Sequence, residues 1–139
     1  MTISMYQASV PRLINILHNL DKILDKTKEH IEVKKVDIAS IIDFRLFPDM
    51  FSLVRQVQIA CDAAEGVVAR LAGVEIPSND DNERSIKELK QRISKTITFI
   101  EGFSPEQIDG TEDNPIVTKR NDKETHYKGM QFLLGHAMP

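Results

Sequence analysis

Gln58 and Asp62 stand four residues apart and Asp49 and Gln56 stand seven apart, spacings that put each pair on one side of an α-helix. Amides and carboxylates facing the interior of a helical bundle would line a polar pocket, and burial would perturb the carboxylates. The same residues also suit a plainer duty. Asp49 can serve its own helix N-terminus, and Asp62 can bridge to a base such as Arg92 and fix the register of two helices. His136 joins them because it begins the last element of the chain. Asp49, Gln56, Gln58, Asp62 and His136 are the candidate ligand-pocket set.

Other reactive residues point away from catalysis. Cys61 is the only cysteine, so no internal disulfide and no thiolate metal cluster can form within one chain. It falls on an apolar stripe with Val57 and Ala64, which reads as a buried, inert thiol. The four histidines are dispersed: His18 on the first helix reads as a partly buried or boundary residue between core and surface, His30 as a surface charge at a helix C-terminus, and His126 as solvent-facing. No glycine-rich phosphate loop, nucleophile elbow or His/Cys cluster is present. The net charge is −3 with mixed signs, and the only basic pairs are Lys34-Lys35 and Lys119-Arg120. Nucleic-acid binding is therefore not expected. No apolar run reaches membrane-spanning length and the N-terminus lacks a signal-peptide pattern, so a cytoplasmic protein without membrane contact is expected.

The elements that must position these residues are helical. At 139 residues the chain is expected to form a single domain. Leu13, Ile16, Leu17, Leu20, Ile23 and Leu24 recur at threes and fours and predict a helix near residues 5–31, with Pro11 near its start. Met50, Leu53, Val57, Cys61, Ala64, Val68 and Leu71 predict a second near 48–72, with Pro48 in its first turn, Asp49 at the positive end of its dipole and Gly73 closing it. Ile86, Leu89, Ile93, Ile97, Ile100 and Phe103 predict a third near 81–103, with Glu83–Lys87 and Glu88–Arg92 as supporting pairs. "SIKE" matches a capping box, although "SNDDNE" before it offers earlier caps. "VDIASIIDFRL" suits a short extra helix and "SPEQIDG" one capped turn. Residues 115–128 predict a two-stranded hairpin about Asn121-Asp122, and 129–139 the start of a last helix.

"RLFPDMFSLVRQVQIACDAAEGVVARLAGVEIP", residues 45–77, resembles the signature of an uncharacterised bacterial domain family allied to the DinB/YfiT-like four-helix bundles. "LKQRISKTITFI" and "YKGMQFLLGHAMP" fit the same family. The resemblance implies an all-α, up-down four-helix bundle with a small hairpin before the last helix. It also implies a truncated member, because "HAMP" leads into a long final helix in such proteins; the alternative expectation is that the chain ends at Pro139 and a neighbouring chain covers the tail. Relatives in the wider superfamily hold zinc or nickel between helices through three histidines, and some are thiol-dependent transferases. Here residues 48–71 contain no histidine, and Gln56 stands roughly where the relative would offer one. An amide is a poor zinc ligand, so no metal cofactor is expected. Three functions follow: a degenerate DinB-like protein binding a small ligand in an interhelical pocket without metal, a metal-dependent transferase or hydrolase with its remaining ligands in a missing helix or a partner chain, or a non-catalytic structural or stress-associated homodimer pairing through its first two helices.

Overall fold

In the computed structural model, which describes residues 3–139, helix α1 (Met5–Lys34) starts where the Ser4 hydroxyl accepts the Gln7 N–H at 3.1 Å. Asp109, from far along the chain, accepts both the Ser4 hydroxyl and the Tyr6 N–H, tying the helix start to a later loop. Those donors, the Tyr6 N–H first, hold the Asp109 carboxyl below the ordinary carboxylate range. Pro11 lies well inside α1 rather than at its edge, so the helix forgoes one internal bond there. A short helix α2 (Ile38–Ile42), capped by Asp37, follows, and then α3 (Leu53–Ala72) closes on Gly73 at φ +70°. Helix α4 (Ile86–Glu101) starts at Ser85, whose hydroxyl accepts the Glu88 N–H.

The chain then makes one capped turn, α5 (Pro105–Ile108), and a hairpin of β1 (Pro115–Arg120) and β2 (Lys123–Lys128). The strands are antiparallel, with Ile116 opposite Tyr127 and Arg120 opposite Lys123. Asn121 and Asp122 both take positive φ, which suits the right-handed twist of a two-residue hairpin turn. The last elements are a helical turn α6 (Gly129–Phe132) and a π-turn α7 (Leu133–Ala137).

Helix α4 is the middle of the assembly: it packs along both α1 and α3, which touch each other less. Its whole apolar stripe, Ile86 to Phe103 at helical spacing, is buried as its periodicity predicts. On α1 the buried stripe is narrower than the sequence suggests. Leu13, Leu17 and Leu24 are buried, whereas Ile16 and Ile23 are 54% and 56% exposed. A helix whose main partner is one neighbour covers only one side, and the rest of an apolar arc stays outside. Helix α3 starts at Leu53, not near 48, because the stretch around Pro48 and Asp49 forms a turn instead. Proline and aspartate serve a turn as well as a helix start. Helix α4 likewise starts at Ile86 rather than near 81.

Gly129, where β2 hands over to α6, is buried against the Thr111–Glu112 backbone. A Cβ there would lie 2.0 Å from the Thr111 carbonyl oxygen. Backbone cannot yield as a flexible side chain can. Gly129→Ala is expected to destabilise the fold by about 1–3 kcal/mol, read from urea denaturation; an unchanged midpoint would show that the junction moves freely.

Candidate functional site

The five candidate residues do not converge. Asp49 lies exposed in the turn before α3, and Gln56 is exposed on the first turns of that helix with its amide donating to the Phe51 carbonyl at 3.0 Å. Ser52, not Asp49, occupies the cap position of α3. Asp49 and Gln56 do share one feature, an open groove of about 490 Å³ whose other walls are Met50, Phe51, Ile59, Ala60 and Ala63. Gln58 and Asp62 face elsewhere, toward α4. His136 is exposed on the π-turn, its ring against those of Tyr127 and Phe132 at centroid distances of 5.1 and 5.7 Å. Its Nδ1 lies 3.4 Å from the Tyr127 hydroxyl, and the Arg70 guanidinium lies over Phe132.

Gln58 and Asp62 belong to a polar seam centred on Arg92 of α4. The Arg92 side chain is only 3% exposed, yet its guanidinium meets three carboxylates. Nη2 donates to Asp62 at 2.6 Å, and Nη1 to Asp81 and Glu83, both at 3.0 Å. Asp81 also receives Arg55 of α3 at 2.9 Å, and Glu83 receives the buried Gln58 amide at 2.8 Å. Further along, the buried Glu65 carboxylate accepts the Thr96 hydroxyl at 2.7 Å and the Asn79 amide at 3.0 Å. Asn79, Asp81 and Glu83 come from the irregular strap between α3 and α4, so this acid-rich segment fastens the two helices together. Glu83 therefore does not form the helical pair with Lys87 that its spacing suggests, and Glu88 accepts the Arg84 N–H rather than pairing with Arg92.

The local fields follow from this geometry. Burial pushes the Asp62 carboxyl up, with Arg92 opposing. Burial would also raise Glu83, but the Gln58 amide and Arg92 outweigh it and hold that carboxyl below its ordinary value. Burial pushes the Cys61 thiol up to about 11, so it is not a nucleophile at neutral pH.

A divalent metal does not fit these donors. Among the described residues no three His, Cys, Asp or Glu side chains converge as ligands. The three carboxylates that do gather already enclose a cation, the Arg92 guanidinium. His18 is exposed, not a boundary residue; His30 and His126 are exposed as well.

The seam makes two measurable demands. Arg92→Met would leave three carboxylates without their shared partner and is expected to cost about 3–5 kcal/mol, seen as an earlier urea midpoint; a loss under 1 kcal/mol would mean that water already screens the cluster. Glu83 has a folded pKa below its ordinary 4.5, so its stabilisation is present above that pH and fades as acid protonates the folded carboxylate. Asp62, raised above 3.8, contributes with the opposite sign. Stability profiles from pH 3 to 7 should therefore flatten at the acid end in Glu83→Gln and steepen in Asp62→Asn; parallel profiles for all three proteins would contradict these assignments.

Comparison with known proteins agrees with this architecture. No curated protein matches the chain. A solved structure, a DinB family member protein from Shewanella denitrificans, superposes with a TM-score of 0.89 at 38% identity, covering 96% of this chain and 76% of that one. The fold is thus DinB-like and largely helical with one small hairpin. Residues 5–139 match a family described as a domain of unknown function, DUF1993, and the chain belongs to that family.

Proposed function

We propose that this protein is a metal-free, non-catalytic binding member of the DinB-like group, acting in the cytoplasm through the outer face of α3. The groove between the Asp49 turn and Ala63 carries this reading: its walls are mainly apolar, and Asp49 and Gln56 are its polar side chains. A site of this kind holds an apolar surface and does no chemistry on it. No nucleophile, base and oxyanion donor meet within it. A metal-dependent transferase would need donors that α3 does not offer. In this reading the architecture is a four-helix bundle in which α4 is flanked by α1 and α3. The candidate occupants are a small apolar molecule or a second copy of the chain. No helix among the described residues is long and apolar enough to cross a membrane, which agrees with a partner met in solution.

The test uses protein purified without a metal-binding tag, at sub-micromolar concentration. The dye anilinonaphthalene sulfonate should brighten with the native protein, and Ala60→Arg, which fills the groove, should weaken that signal while leaving the circular dichroism unchanged. Equal brightening by the variant would place the apolar surface elsewhere. Stoichiometric zinc or nickel by mass spectrometry would overturn the metal-free reading.

A further inference from the structure

A second groove, of about 820 Å³, runs between α1 and α4 and has no α3 residue in its walls. Its α1 wall is a single stripe, Asp21, Asp25, Lys28 and Glu32, and α4 faces it with Lys87, Lys90, Gln91 and Ser94. Asp25 stands nine residues from the exposed Ile16, half a turn round the helix. The groove therefore lies on the opposite flank of α1 from its bare apolar arc. No residue beyond Ser94 lines it.

Charge is divided unevenly along this groove. At one end Lys90 pairs with both Asp21 and Asp25, so those three charges are already engaged. The two helices run antiparallel, since Asp109, just beyond α4, holds Ser4 at the start of α1. One turn on from the Asp25–Lys90 pair, that geometry brings Lys28 level with Lys87. Among the described residues neither of these two lysines forms an ion pair. Past them the floor is apolar: Ile31 and Ile86 are buried, and Ile38 of α2 lines the same end and is exposed. Most of the surface left open is carbon, to which the lysine stems contribute. Glu32, one turn beyond Lys28, is the opposing charge in this half.

Two free cations at one level, with an apolar floor leading away from them, match a molecule with one anionic end and an aliphatic body. The volume lies within the range of small-molecule sites, about 300–1,000 Å³. We infer that this groove binds a soluble aliphatic carboxylate. Its carboxylate sits between Lys28 and Lys87, and its chain lies along Ile31, Ile38 and Ile86. A cationic amphiphile fits less well, because Lys90 already engages two of the three acids and only Glu32 is left to hold it. The site is separate from the α3 groove and does not rest on the role assigned to that face.

Isothermal titration calorimetry of the 139-residue chain with sodium decanoate, kept below micelle-forming concentrations, tests this. Saturable binding of one decanoate per chain is expected, weakening as salt is added. Lys87→Glu should weaken it at least about tenfold, and Glu32→Gln should tighten it. Both side chains are exposed, so neither replacement threatens the fold. Ile38→Asp, which sets a charge in the path of the chain, should weaken binding as well. Decyltrimethylammonium carries the same chain on a cation and should bind at least about tenfold more weakly. Ala60→Arg, in the α3 groove, should leave decanoate binding unchanged. No binding, equal binding of the cation, or indifference to both Lys87→Glu and Ile38→Asp would overturn the site. Loss of binding in Ala60→Arg would overturn it too, by moving the ligand to α3.

Discussion

Arg92 lies almost wholly inside the seam between α3 and α4, and a buried guanidinium is tolerable only when it is paired. Three carboxylates meet that demand, and they come from different parts of the chain: Asp62 from α3, Asp81 and Glu83 from the strap. The strap has no regular secondary structure to define its path, so these contacts define it. They also set the rotation and height of α3 against α4, because Gln58, Asp62 and Glu65 must each arrive opposite a particular partner. An apolar interface could slide by a turn at modest cost; one built on fixed donors and acceptors cannot.

That constraint bears on the opposite side of α3. With Gln58, Asp62 and Glu65 committed to the seam and Val57, Cys61, Ala64 and Val68 to the core, the residues left to face outward are Gln56, Ile59, Ala60 and Ala63. The groove is thus positioned by the charge cluster without touching it. The loop before α3, where Phe44, Phe47 and Phe51 are exposed, is joined to the same helix through the Leu53 and Gln56 hydrogen bonds, so it inherits the same placement. The polar seam is scaffold, and the apolar groove of α3 lies outside it.

Much of this was legible from residue types. The apolar period of α4 is complete in the sequence because that helix is covered on two sides. The stripe of α1 reads wider than its buried strip, since periodicity marks which residues share an arc but not how much of the arc a neighbour covers. Pro48 and Asp49 favour a turn and a helix start alike, so residue type does not decide between them. Asp62 could be matched to Arg92 from spacing and charge. The role of "SNDDNE" could not, because its acids reach their partner only through the fold. One signal was available: Arg92 lies on the face of α4 shared by Leu89 and Thr96, and a base on a buried face requires acids from somewhere.

Cys61 has no exposed surface, and its thiol titrates near 11. At neutral pH the thiol stays protonated, and burial shields it from any reagent in water. Modification must wait until α3 and α4 separate. The chain's single cysteine therefore serves as an internal clock of opening: the rate at which it is labelled counts how often the seam comes apart.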